Sequence, residues 1–97
     1  MLNVIWSDSA IADVSDNIDY LEIVFSDKEV SLFLNNIDNV LNILRLGNII
    51  FISSGYIDVY KVPIVSQITL FYKIQNDTVF LLRFWNNLQN PENFNLR

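Results

Sequence analysis

Gln67-Ile68-Thr69-Leu70-Phe71-Tyr72-Lys73-Ile74 and Thr78-Val79-Phe80-Leu81-Leu82-Arg83-Phe84-Trp85, parted only by Gln75-Asn76-Asp77, make up the stretch on which the fold turns. Both runs are crowded with β-branched and aromatic residues, and the Asn-Asp break is turn chemistry, so they read as an antiparallel hairpin at the centre of a sheet. Register decides what each face carries, because a slip of one residue exchanges the two sides of a strand. A three-residue turn pairs Tyr72 with Phe80 and Leu70 with Leu82, and puts Thr69, Phe71, Lys73, Val79, Leu81, Arg83 and Trp85 on the other face. A two-residue turn at Asn76-Asp77 pairs Tyr72 with Leu81 and Leu70 with Arg83. The first pairing is preferred. In either one both faces carry large apolar groups, so one face should meet helices of the same chain and the other a partner or ligand.

Working outward, Leu2 to Trp6 reads as a short strand, with Ser7 or Ser9 capping a helix whose first turn carries Asp8. Ala10, Val14, Ile18, Leu21 and Phe25 recur at helical spacing and predict one buried stripe. Asp13, Asp16, Asp19 and Glu22 line another side, either as a solvated face or as a cation or basic-partner site. Ser26-Asp27-Lys28-Glu29 has the form of a capping box opening a second helix. Val30, Phe33, Leu34, Ile37, Val40, Leu41 and Leu44 form its apolar side, and Gly47 supplies its left-handed stop. The two helices form a hairpin fit to cover one sheet face. Asn48 to Tyr56 reads as a loop over the helix ends. Ile57 to Val65 reads as a strand in which Pro63 demands an edge or a bulge. Asn86 to Phe94 reads as a polar surface tail. The expected fold is one α+β domain over residues 1–97, β-α-α-β-β-β, with a helical hairpin on one face of a small twisted antiparallel sheet.

Composition narrows the chemistry. The chain has 97 residues, 52% of them hydrophobic, enough for one core and too few for two. It has no cysteine and no histidine, which removes disulfides, thiolate metal sites and the commonest general base, and no metal or cofactor is expected. No basic, apolar leader opens the sequence, and no segment reaches the roughly 18 to 20 apolar residues that span a bilayer, so the expected compartment is the cytoplasm. Residues 1–38 carry a net −7 and residues 39–97 a net +2. Contact with phosphate must come from the second half and would be thin, which argues against non-specific nucleic-acid binding.

Several stretches together resemble the RelE/ParE superfamily of type II toxin-antitoxin toxins. They are Trp6-Ser7 with Ala10, Tyr20-Leu21-Glu22, Lys61, Leu70 to Ile74, Phe84-Trp85-Asn86 and Gln89-Asn90-Pro91, and the likeness is spread over nearly the whole chain. It implies a small cytoplasmic protein that inhibits growth, of the kind tied to plasmid stabilisation, and that is wrapped by an antitoxin in a hetero-oligomer. RelE-like members cut mRNA on the ribosome and ParE-like members poison DNA gyrase. Cleavage would need a base and cations. The resemblance then points to Lys61, Arg83 and Tyr72 as catalytic groups, with Tyr60 a further hydroxyl, and to Lys61, Lys73 and Arg83 as contacts to nucleic acid or target. Phe71, Leu81 and Trp85, on the reverse face in the preferred register, are the expected antitoxin contacts. The chain departs from the family pattern at Ser66-Gln67, where relatives often carry Lys-His, and at Leu88, where an Arg commonly precedes Gln-Asn-Pro. A catalytically inert interaction module descended from such toxins is the alternative. A small-molecule-binding domain would require a closed pocket between helices and sheet.

Overall fold

A computed structural model of the chain describes residues 1–96. Asn76 and Asp77 both adopt left-handed backbone, with φ of 51° and 60°, and join Gln75 to Thr78 across a two-residue turn. Positive φ at both central positions matches the right-handed twist of the flanking strands, and Asn and Asp tolerate it better than most side chains. The turn therefore has two residues and not the three of the preferred register. It joins strands Ile68–Gln75 and Thr78–Asn86, which become β4 and β5 below.

The full order is β1 (Asn3–Trp6), α1 (Asp8–Val24), α2 (Asp27–Leu46), β2 (Ile52–Ser53), β3 (Tyr60–Val65), β4 and β5. A 3-10 turn follows at Pro91–Asn93. The sheet runs β1-β5-β4-β3-β2, with both helices packed on one face as expected. Its β1–β5 pair is parallel and the other pairs are antiparallel, so the sheet is mixed at one edge.

From the turn inward, β4 and β5 pair Tyr72 with Leu81, as a two-residue turn requires. Leu82 is then skipped, so that Phe71 faces Arg83 and Leu70 faces Phe84. A bulge of this kind shifts the alternation of one strand by one residue. Val79 and Leu81 on one side of it, and Phe84 on the other, therefore all enter the core, although strict alternation would have separated them. Leu81 is fully buried here, which corrects its assignment to the reverse face. Phe84 lies between Trp6, stacked at 5.4 Å between centroids, and Phe33, edge-on at 6.4 Å.

The helices present Leu21, Phe33, Ile37, Leu41 and Leu44 to this side of the sheet. Ser7 caps α1 by accepting from the Ala10 amide at 3.0 Å. Ser26 makes no side-chain cap: its backbone carbonyl, in place of the hydroxyl of the expected capping box, accepts from the Glu29 amide at 3.0 Å. Gly47 stops α2 at φ 76°. Two expected core positions fall outside. Phe25 sits beyond the last turn of α1 and is 46% exposed, and Leu34 lies at the rim of the α2 stripe. The buried place on α1 that the apolar stripe did not include belongs to Asn17.

Residues 48–56 are mostly loop, as expected, with Ile52 and Ser53 pairing Lys61 and Tyr60. Pro63 lies past the end of β2, and the pairing with β4 shifts between Pro63 and Val65. Missing one N–H, proline is tolerated where no neighbouring strand asks for it. No helix among the described residues is long and apolar enough to cross a membrane.

The turn supplies the first prediction. Asp77→Gly relieves the left-handed strain at the position where a type I′ turn favours glycine, and should raise stability by about 0.5 kcal/mol. Asp77→Ala should lower it, and the midpoint of urea unfolding reads both.

Candidate functional site

The reverse face of the sheet is set by two rows of register. Lys61 on β3, Phe71 on β4 and Arg83 on β5 stand side by side, and Pro63, Thr69 and Trp85 form the next row. With strands about 4.8 Å apart, Lys61 and Arg83 lie roughly 10 Å from each other at the backbone, on either side of Phe71. Lys73 is two residues further along β4, with its Nζ 5.4 Å from the centre of the Phe80 ring. The three expected cations thus share one face.

They are not equally available. Lys61 is exposed and Lys73 half-buried. Arg83 is held by Asp13 of α1 through two bonds, Nε to Oδ2 at 2.7 Å and Nη2 to Oδ1 at 3.0 Å. Among the described residues this is the one ion pair. A fork of two parallel bonds is the strong form of an arginine–carboxylate contact. It pushes the Arg83 guanidinium further up from an already high value, chiefly through the hydrogen bonds, against a smaller opposing effect of burial. The Nη1 of Arg83 donates to the backbone carbonyl of Asn95 at 2.7 Å, and the guanidinium lies 5.6 Å from the Trp85 ring. Arg83 is committed to structure.

Tyr72 is on the other side of the sheet. Its ring is fully buried, and its hydroxyl accepts from the Phe51 amide at 3.1 Å. Burial raises its pKa above the ordinary value, the Phe51 hydrogen bond opposes this, and the neighbouring Tyr60 adds to it. Such a phenol stays protonated at neutral pH and out of a substrate's reach, so the expected catalytic role of Tyr72 does not survive its placement.

The reverse face was expected to be open, and the chain itself covers part of it. Phe94 lies 4.6 Å from Phe71, 5.0 Å from Trp85 in an edge contact and 5.8 Å from Tyr56, all between ring centroids. Trp85, between this ring and the Arg83 guanidinium, is only 8% exposed. A lone aromatic residue in a polar tail was the signal for this, because it carries the largest apolar area that the segment has to bury.

Asn17 went unread, and Asp13 was read only as one member of the acidic row. β1 accompanies β5 only as far as Leu81, and beyond that the edge of β5 has no strand beside it. Asp13 Oδ2 accepts the Phe84 amide at 3.0 Å, and Asn17 Nδ2 donates to the Phe84 carbonyl at 2.9 Å. One turn apart on α1, the two side chains take the place of the missing strand. A polar residue such as Asn17 in step with Ala10, Val14 and Leu21 was the available clue. The rest of the acidic row, Asp16, Asp19 and Glu22, is exposed, and no group of three or more metal-ligating side chains is placed to hold an ion among the described residues.

A cleft of about 300 Å³ lies beside Lys73, lined by Ile57, Asp58, Tyr60, Ile74 and Gln75. Its walls come from β3, β4 and the preceding loop, so it is not the pocket between helices and sheet that a small-molecule-binding domain would need.

Removing the Asp13 carboxylate leaves a guanidinium and an amide without their partner. Asp13→Ala should therefore lower unfolding stability by about 2 to 4 kcal/mol. Asp16→Ala, three residues along the same helix, should change it by less than about 0.5 kcal/mol, and urea denaturation compares the two.

No family model matches the chain, and no curated protein does. Solved structures do. One, described as a chromosomal ParDE toxin-antitoxin system from P. aeruginosa, superposes with a TM-score of 0.74 at 13% identity, covering 89% of this chain and 96% of that one. Another, a copper-bound L66S mutant toxin from Helicobacter pylori, superposes with a TM-score of 0.67 at 19% identity, covering 97% of this chain and all of that one. At these identities the likeness is one of fold, and the chain has the RelE/ParE-like toxin fold that its sequence resembles.

Proposed function

We propose that this protein is the toxin of a type II toxin-antitoxin pair, a cytoplasmic inhibitor of growth that a bound antitoxin silences. The observation that carries this reading is the match over nearly the full length of two toxin-system chains. Plasmid or chromosomal maintenance would follow from the pairing of toxin and antitoxin.

Between the two modes of action, binding to a protein target such as DNA gyrase is better supported than cleavage of mRNA. Cleavage asks for a group that takes the 2′-hydroxyl proton and for cations at the phosphate. The chain has no histidine, Tyr72 is sealed in the core, and Arg83 is tied to Asp13 and Asn95. What the reverse face still offers is Lys61, Lys73 and a floor of aromatic rings. Lys61 and Lys73 are the proposed contacts to the target. Phe71 and Trp85 are the proposed contacts to the antitoxin, in which mode an extended or helical segment lies along the sheet. The commitment of Arg83 and Tyr72 to structure also favours the second reading, an inert module that keeps only its partner.

Regulated expression in a bacterial host, with and without the neighbouring reading frame, tests the proposal. Growth should stop when the chain is made alone and resume when the neighbour is co-expressed. Arrest should come with altered DNA supercoiling and unchanged mRNA ends, whereas new mRNA ends would restore the nuclease. The double variant Lys61→Ala/Lys73→Ala should relieve arrest while the protein still binds the neighbour's product. Normal growth at confirmed soluble expression of the unaltered chain would support the inert module.

A further inference from the structure

Toward the hairpin turn, the last pair that β3 makes with β4 is Tyr60 with Tyr72, although β4 runs on through Lys73, Ile74 and Gln75. Gln75 and Thr78 close the two-residue turn as a hydrogen-bonded pair, so Gln75 and Lys73 direct their backbone groups at β5. Ile74 directs its N–H and C=O the other way, to where β3 would continue. β3 is not there. Before Tyr60 the chain bends off through a turn in which the Val59 amide bonds the Tyr56 carbonyl at 3.2 Å and Asp58 has φ 59°. Among the described residues no backbone group of that turn reaches Ile74. The space left is the cleft of about 300 Å³ beside Lys73, with Ile74 in its wall.

The cleft is thus a vacated strand position that offers one backbone donor and one acceptor, and its other groups narrow what fits. It is closed at Tyr60, where β3 itself takes over the pairing, so an entering strand must end inside it. Lys73 rests its Nζ on the Phe80 ring and has no ion pair among the described residues, which leaves its charge for an anion. Ile57, 91% exposed, supplies apolar area together with Ile74 and Tyr60. Asp58, the one acid in the lining, opposes a ligand carrying several negative charges. A residue that pairs with Ile74 while running in the direction of β3 sets its side chain on the face of Ile74 and Tyr60, and turns its carbonyl to the Ile74 amide, one position from Lys73. When that residue is the last of its chain, the carbonyl is the α-carboxylate, and the Ile74 N–H and the Lys73 ammonium both serve it.

We propose that this cleft binds the C-terminal end of an extended polypeptide with an apolar last residue, its carboxylate held by the Ile74 amide and Lys73. The site goes beyond the toxin reading and does not need it, though it gives the target contact at Lys73 a chemistry.

The test is amide NMR of the full chain, titrated with short acetylated peptides ending in Val, Ile, Leu or Phe, each as the free acid and as the C-terminal amide. At least one free acid should shift the Ile74 amide and slow its hydrogen exchange, and its amide form should bind about tenfold more weakly, the loss of one charge-assisted contact. Lys73→Met should erase the difference between acid and amide, and Lys73→Arg should keep it. No shift at Ile74 with any free acid, or equal binding of acids and amides, would overturn the site. So would the same shift from acetate alone at equal concentration, which would mean an anion site only. Growth arrest by a chain that binds none of the acids leaves the toxin reading standing and the cleft overturned, and binding by a harmless chain does the reverse.

Discussion

The Asp13 carboxylate takes three hydrogen bonds, two from Arg83 and one from the Phe84 amide, and the geometry of β5 depends on them. β5 needs help because its neighbour is short. β1 pairs with it through four residues and then turns away into α1 at Ser7. A strand edge in a partly buried setting cannot leave its amides and carbonyls unpaired without losing about 1 to 3 kcal/mol for each. Helix α1 starts at that point and runs along the edge, so its own side chains do what a strand would have done. The bulges are handled in the same manner. The skipped residue Leu82 has its carbonyl bonded by the Ser7 hydroxyl at 3.0 Å, and Ile64, at the irregularity in β3, has its carbonyl bonded by the Asn36 amide at 2.8 Å. In each case a helix side chain stands where the ladder is interrupted.

This arrangement divides the sheet into a structural and an available side. Because Arg83 serves the fold, its positive charge is already matched by Asp13, and a second anion would have to compete with a bidentate partner. Net charge elsewhere agrees, since the first 38 residues are strongly acidic and would repel a nucleic-acid backbone. The lysines at 61 and 73 remain as modest, separated positive groups among aromatic rings, a surface better suited to a protein or peptide partner than to polyphosphate.

Much of the architecture could be read from the residues alone. The strand-helix-helix order follows from Ser7, from the apolar spacing in both helices and from Gly47, and the central hairpin from two aromatic runs with an Asn-Asp break. Register could not be read, because a bulge leaves no compositional mark. Leu81-Leu82 are chemically alike, and only the packing of Phe84 between Trp6 and Phe33 shows which of them is the extra residue. The error then spread to the site, where strict alternation carried Leu81 to the wrong face. Tyr72 shows a second limit. A strand tyrosine can be read for chemistry or for packing, and the full burial of its ring, with the hydroxyl taken by the distant Phe51 amide, decides for packing. Asp13 shows a third, since an acid in a solvent-facing row differs from its neighbours only through a residue 70 positions away.

Amide hydrogen exchange at Phe84 bears most directly on the claim that α1 replaces the missing strand. The account predicts that this amide, though at an edge that no strand accompanies, exchanges as slowly as the amides of the β4–β5 ladder beside it. Exchange at the rate of an open edge would mean that Asp13 does not hold it.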